Sequence, residues 1–376
     1  MAYHNELFLI LVFTIFGIAA SIQLFYYIYF YMAVNLYKPR LSDGTSKPVS
    51  VIICARNESE NLKNFLPSVL EQDYPDYEVI VVNDCSEDNS YNVLGEYLIR
   101  YPHLKVSTIN KDPKFTHNKK FAQFIGIKAA KNDILLFTDA DCKPESDQWL
   151  AMMSSHFEKD ISFVLGYGGY RREKGLLNKY IRYDSIAIAM QYLGMALKGI
   201  PYMGVGRNLA YRKTTFFENN GFGAHNHIIS GDDDLFVNSN ATETNTMVEF
   251  RTGAHTRSVP CSGFIQWAKQ KRRHLTTAPY YKLRDKLLLI FEPLSRVLFY
   301  TALIILLSFT YLWPLVIGIF GLRLIIQTAV FATVQKKLNE PGLIGFSIFF
   351  DIFSPLLTFT ISLGNIRSKS DKNRWR

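Results

Sequence analysis

The chain has 376 residues, 42 Lys plus Arg, 33 Asp plus Glu and a formal net charge of +9. Its length suggests roughly two to three domains, and 20% charged with 48% hydrophobic residues excludes a disordered chain. Four cysteines (Cys54, Cys85, Cys142, Cys261) without a CxxC pair exclude a disulfide scaffold, disfavour structural zinc and leave free thiols.

In chain order, Leu7 to Val34 carries no charged side chain over 28 residues, more than the roughly 20 a bilayer requires. Tyr26, Tyr27, Tyr29 and Tyr31 crowd its end as an interfacial aromatic belt does. A cleaved signal peptide needs a basic leader, and MAYHNE has none, so the segment reads as an uncleaved anchor over 1–36. A polar region follows at 47–286. In it VSVIICA (Val49 to Ala55) predicts a strand, and Asn57 to Gln72 an amphipathic helix that starts late or kinks at Pro67. Further strands are predicted at Glu78–Asn83, Lys105–Asn110, Asp133–Thr138 and Ile161–Tyr167, with a helix at Lys119–Ala130. Apolar strands alternating with helices imply a mainly parallel α/β sheet covered on both faces.

The final quarter, 287–366, predicts three more membrane helices near 297–313, 314–335 and 342–364, broken at Pro314 and at Lys336–Pro341. Lys38, Arg40 and Lys47 on one side and Lys282, Arg284 and Lys286 on the other place the polar region in the cytoplasm of a multi-pass cell-membrane protein. The basic tail at 367–376 conflicts with that parity: either one apolar stretch is re-entrant or the tail departs from the rule. The net charge is accounted for by membrane-flanking Lys and Arg, and no nucleic-acid module is present.

Such sheets bind ligands beyond the carboxyl ends of their strands. Three strand ends converge there with Arg56, Asn57 and Glu58; with Asn83, Asp84, Ser86 and Asp88; and with Asp139-Ala-Asp141. Eighteen aspartates supply about one DxD by chance. Here both carboxylates follow a buried strand, where charge is costly unless it binds something. The plainer alternative is a cap for the next helix, a role for which Ser146 and Asp147 compete. The second acidic knot is Asp232-Asp233-Asp234. Mutual repulsion there raises a pKa or calls for a cation, and suits a general base; the alternative is a solvated turn, which the following Leu235, Phe236 and Val237 disfavour. Gln270-Lys271-Arg272-Arg273-His274 offers cations for a leaving diphosphate, or else snorkels beside the membrane. Lys119 and Lys120 are a second phosphate-binding pair, or a solvated helix face. Gly204-Val-Gly206-Arg-Asn-Leu209 lacks the third glycine of a dinucleotide loop and reads as a turn or a close approach of backbone to an acceptor. The chain has no HExxH, GxSxG or GxxxxGK[ST] motif.

This ordered set resembles the membrane-bound glycosyltransferase family 2. PVSVIICARNE is similar to the family's opening strand, VVNDCSEDNS to its nucleotide loop and FTDADC to its DxD. SGDDDLF stands where the family has TED, and QKRRH where processive members have QxxRW. The resemblance implies an α/β, Rossmann-like GT-A domain flanked by transmembrane helices and inverting transfer from a nucleotide-diphosphate sugar, with a UDP-sugar the leading choice. The implied acceptor is a lipid-linked or membrane-proximal glycan. It implies nucleotide contacts by Arg56, Glu58 and Asp84, and Mg2+ or Mn2+ on Asp139 and Asp141. Lys119, Lys120, Asp139, Gln270 and His274 would bind substrate. Asp232 would be the base with Asp233 as the runner-up, and Arg273 would lie over the diphosphate. Asn83, Cys85, Gly231 and His274 depart from the family pattern; imidazole in place of the usual Trp favours short additions over long polymers. The rival readings are a processive polysaccharide synthase, an inactive nucleotide-sugar-binding scaffold and, last, a transporter. The transporter ranks last because Arg323 and Asp351 are the exceptional polar groups in the final helices, and these two could simply pair.

Overall fold

The computed structural model describes residues 2–39, 46–111, 118–226, 228 and 230–367. Arg40 and the tail beyond Arg367 lie outside the described residues. The chain opens with α1 (Ala2–Phe25), a π-helical segment (Tyr26–Tyr31) and α2 (Met32–Leu36). Then come β1 (Val49–Ala55), α3 (Ser59–Leu70), β2 (Tyr77–Asp84), α4 (Ser90–Arg100), β3 (Leu104–Ile109), α5 (Lys119–Ala129) and β4 (Ile134–Asp139). β5 (Cys142–Pro144), α6 (Trp149–Ser154), β6 (Phe163–Gly166), β7 (Gly168–Tyr170), α7 (Leu176–Leu197), β8 (Leu209–Arg212) and α8 (Lys213–Glu218) follow. The chain continues through α9 (Asp234–Asn240), β9 (Thr246–Glu249), β10 (Thr256–Ser258) and α10 (Phe264–Leu275) to α11 (Leu283–Ser308), α12 (Trp313–Lys337) and α13 (Ile344–Arg367).

The main sheet runs β3-β2-β1-β4-β8-β6-β9. Its first four strands are parallel, as the continuous apolar runs predict; β8 then lies antiparallel to both β4 and β6. The sheet is therefore mixed, and the antiparallel strand starts at Leu209, at the end of the stretch read as a turn or a close approach of backbone to an acceptor. Register sets Ala55 opposite Asn83 and Cys54 opposite Asp139, so the three polar strand ends are neighbours. α3, α4 and α6 cover one face and α5, α7 and α9 the other. The helix after β1 starts at Ser59 and runs through Pro67. Proline supplies no N–H to the Lys63 carbonyl four residues back, and the Tyr97 hydroxyl of α4 donates to it instead (3.1 Å).

Among the described residues, four helices are long and apolar enough to cross a membrane: Glu6–Leu36, Leu283–Ser308, Trp313–Lys337 and Ile344–Gly364. The second begins earlier than the expected 297, because its first turns carry charges that interrupt the apolar run. Asp285 accepts from Asn238 (2.8 Å), and Glu292 pairs with Arg296. α1 packs along α11, with Phe16 stacked on Phe299 at 4.8 Å. Arg323 does pair with Asp351 (2.8 Å), but the cluster is larger. Arg296 lies 3.4 Å from the same carboxylate, Tyr300 donates to it (2.7 Å), and Gln23 accepts from Arg323 (3.0 Å).

The catalytic-looking half and the bundle pack directly against each other. The π-helical segment lies on α7, where a Cβ added to Gly194 would sit 2.5 Å from the Phe30 carbonyl oxygen. In the loop after α12, buried Glu340 accepts from Tyr167 (2.9 Å) and Arg182 (2.6 Å) and pairs with Arg257. Within the sheet half, Asn208 is fully buried. Its amide donates to the carbonyls of Tyr167 (2.9 Å) and Ala254 (2.7 Å) and accepts from the Trp149 indole (3.0 Å). Asn208→Leu strands the Trp149 indole N–H and the Ala254 carbonyl, while the Tyr167 carbonyl keeps the Thr256 amide (3.2 Å), so thermal unfolding should show a loss of about 2 kcal/mol or more.

Candidate active site

The nucleotide-side crevice forms where β1 and β2 end. Asn57 takes a left-handed backbone (φ 56°), and its side chain accepts from the Glu87 amide (2.8 Å). Ser86 accepts from the Asn57 amide (2.9 Å), and Asp88 accepts from the Ser59 amide (2.9 Å) and the Ser90 hydroxyl (2.6 Å). Ser86 and Asp88 thus tie the two loops together. Asp84 is fully buried at the end of β2, with the Cys85 thiol donating to it (3.4 Å). Cys85 itself has φ 54°, a conformation that favours glycine. Glu58 is half-buried and accepts from Asn61 (2.6 Å). Burial, and then Asp141 and Asp139 nearby, raise its carboxyl to about 7 despite that hydrogen bond.

Asp139 ends β4 and Asp141 precedes β5. Their carboxylate oxygens and the Cys142 sulfur lie within 4.8 Å of one another. Burial pushes Asp139 up, but Lys119 at 2.8 Å outweighs it and leaves the carboxyl below its usual range. Asp141 is raised by burial and by Asp139, and accepts from the Ser258 hydroxyl (2.7 Å). Two hard carboxylates fit Mg2+ or Mn2+; the Cys142 thiol, whose pKa burial drives up, does not. Lys119 sits where it neutralises this cluster. Burial would lower its pKa, yet Asp139, Asp232 and Asp233 hold it well above the usual range.

The acidic knot divides into three jobs. Asp233 caps α9: one oxygen accepts from the Asp234 amide (2.8 Å) and the other from the Gly206 amide (2.6 Å). Burial and then the neighbouring Asp232 and Asp234 push it up to about 7. Asp234 accepts from Thr277 and from the Tyr281 hydroxyl (2.6 Å), anchoring the approach to α11. Asp232 is 6% exposed, and its Oδ2 has no hydrogen-bond partner among the described residues; the nearest cation is Lys119 at 3.4 Å. Of the three, Asp232 has the spare basic atom.

On α10, Lys271 pairs with Asp184 of α7 (2.7 Å), which fixes the helix. Gln270 accepts from Tyr170 at 3.5 Å. His274 is open to the cavity; surrounding protein, then Arg273 and Arg207, push its imidazole down to about 3. One cavity of about 500 Å3 gathers Lys119, Asp139, Asp141, Asp232, Asp233, Gln270, Arg273 and His274 on its walls. Arg56, Glu58 and Asp84 lie outside it, on the crevice side. Lys120 is separated from Lys119: it is buried, and its ammonium donates to the carbonyls of His225 (2.7 Å) and Ile228 (2.8 Å). The expected lysine pair is therefore one site residue and one loop tether, because consecutive residues on a helix point about 100° apart.

Arg207 is the residue that motif reading passed over. It lines the cavity, lies over the Tyr170 ring at 4.3 Å, and has a buried Nη1 without a partner among the described residues. Its charge acts on both Asp139 and Asp141. The available signal was its place between Gly206 and buried Asn208, in the stretch set aside as a failed dinucleotide loop.

A strand-end crevice, a DxD and a carboxylate facing a cationic helix define a nucleotide-sugar transferase type of site. Residues 50–218 match the family model Glycosyl transferase family 2. Glycosyltransferase AglE of Haloferax volcanii is 33% identical over 122 residues, 32% of this chain and 36% of that protein. The poly-beta-1,6-N-acetyl-D-glucosamine synthase of Staphylococcus epidermidis is 30% identical over 142 residues, 37% of this chain and 33% of that protein. The chain thus spans only about a third of the length of these relatives. The mannosyltransferase PcManGT of Pyrobaculum calidifontis, solved with GDP-Man and Mn2+, superposes with a TM-score of 0.63 at 16% identity. That match covers 96% of this chain and all of that one, and establishes a shared GT-A fold.

The division of labour in the acidic knot has a direct test. Asp233→Ala removes a cap and the Gly206 tie and should lower stability by about 1–3 kcal/mol in thermal melts, whereas Asp232→Asn should leave the melting temperature nearly unchanged.

Proposed function

We propose that the chain is an inverting membrane glycosyltransferase that moves a sugar from a nucleotide-diphosphate donor to a hydroxyl on a membrane-borne acceptor. The catalytic half faces the cytoplasm, on the side where Lys38, Lys47, Lys282, Arg284 and Lys286 flank the membrane helices. The observation that carries this reading is the spare oxygen of buried Asp232 in the same cavity as Asp139, Asp141 and Arg273.

In this mechanism the nucleotide lies in the crevice by Arg56, Glu58 and Asp84, with its diphosphate toward Asp139 and Asp141. A divalent cation held by these two carboxylates would offset the charge of the diphosphate. Asp232 accepts the proton of the acceptor hydroxyl as its oxygen bonds to the anomeric carbon from the face opposite the leaving group. The bond from that carbon to the phosphate oxygen breaks in the same displacement, and its electron pair leaves with the nucleoside diphosphate. Arg273 and Arg207 stabilise the negative charge that accumulates there. Lys119 sits between Asp139 (2.8 Å) and Asp232 (3.4 Å) and holds the two carboxylates in place. His274, held neutral, adds no charge on the acceptor side.

Detergent-purified protein is tested for nucleotide release from UDP-, GDP- and dTDP-sugars, with a membrane-lipid extract as acceptor source. One donor class should turn over, EDTA should abolish release, and Asp232→Asn should slow it by about 100-fold or more while donor binding persists. Absence of donor binding across the panel would remove this crevice from consideration as a nucleotide-sugar site.

A further inference from the structure

The cavity continues well below the catalytic carboxylates. From Asp232 its walls descend past Tyr31 to Glu292 and Arg296 of α11, Gln327 and Phe331 of α12, and Ser354 of α13. Arg296 lies about 20 Å along α11 from its first residue, at roughly 1.5 Å per residue. The lower chamber is thus built from the helices that are long and apolar enough to cross a membrane.

Its floor is polar and charge-compensated. Arg296 pairs with Glu292 and lies 3.4 Å from Asp351, which also pairs with Arg323 at 2.8 Å; two cations meet two anions. Arg296 is 8% exposed, and its Nε has no hydrogen-bond partner among the described residues. Its Nη1 reaches the Ser354 hydroxyl at 3.3 Å. Ionisable groups within membrane helices are costly and mark functional sites by default. An ion-pair knot that only bridged helices would need no chamber above it. A cavity meant for acyl chains would not line its wall with a guanidinium and a serine hydroxyl. A phosphate at this depth would need net positive charge around it, and the floor supplies none.

We propose that this chamber seats the uncharged, hydroxyl-rich head of a membrane glycolipid, with its reacting hydroxyl held up at Asp232. Aromatic walls at Tyr31 and Phe331 provide faces for a sugar ring, and Arg296, Gln327 and Ser354 provide hydrogen bonds without net charge. This deepens the transferase reading and rests on it for the direction of the acceptor.

The test is photolabelling with an alkyl β-D-glucoside that carries a diazirine in its chain, on full-length protein in phosphatidylcholine nanodiscs, with labelled peptides mapped by mass spectrometry. Label should fall on the cavity side of α11, α12 and α13. Octyl β-D-glucoside should compete it away and farnesyl phosphate should not. Ser354→Trp and, independently, Thr358→Trp fill the chamber, and each should cut that label by about tenfold. Unchanged melting temperatures and unchanged labelling at lipid-facing Phe353 and Phe359 control for folding. Label confined to the lipid-facing residues, label undiminished in well-folded Trp variants, or equal displacement by farnesyl phosphate would each overturn the proposal. Because labelling reads no catalysis, a chain that labels as expected but releases no nucleotide refutes the transferase reading and leaves the glycolipid seat standing.

Discussion

Glu340 lies in the short turn between the last two membrane helices, 1% exposed, and its partners come from the catalytic half: Tyr167 before β7, Arg182 of α7 and Arg257 of β10. A carboxylate removed from water is tolerated only when it is paired and fully hydrogen-bonded, and removal of one partner from such a cluster costs about 3–5 kcal/mol. Arg257 also pairs with Glu145 (3.0 Å) and donates to the carbonyls of Leu338 (2.9 Å) and Asn339 (3.2 Å). Its neighbour Ser258 donates to Asp141. A short mechanical path therefore runs from the membrane turn to the DxD: the strand that positions Asp141 is pinned to the bundle one residue away.

The electrostatics around Lys119 follow from the same crowding. Asp139, Asp232 and Asp233 all act on its single ammonium, with Asp141 beyond it. Burial concentrates their repulsion, and the outcome is uneven: Asp139 is held low while Asp141, Asp233 and Glu58 are raised. Unequal affinities for protons among neighbouring carboxylates are what a site needs if one group is to take a proton while others hold a cation.

Local pattern carried much of this into the sequence. Continuous apolar runs marked β1, β2 and β4 to within a residue or so, since a strand buried on both faces has no other composition available, and half-exposed β3 was placed as closely. The ends of those strands gave Asp84, Asp139 and Asp141. What the sequence did not disclose depends on pairing between distant segments. β8 is four residues of ordinary composition, and only β4 and β6 make it a strand. Asp232 and Asp233 are indistinguishable as letters; the Gly206 amide, 27 positions away, separates them. The start of α11 was hidden because Glu292 and Arg296 interrupt the charge-free run, whereas each neutralises the other inside the helix bundle. Arg207 carried no motif at all and becomes visible only when the cavity is drawn.

The close contact of the Phe30 backbone with Gly194 places a strict condition on how such a protein can diversify. The π-helical turn that carries Tyr27 and Tyr31 into the cavity rests on α7 with no room for even a methyl group between them. Any exchange of this anchor for an unrelated one, by recombination or by design, would remove part of the chamber wall along with the tether. Anchor and catalyst are thus mechanically one unit, and a change to either at this contact calls for a matched change in the other.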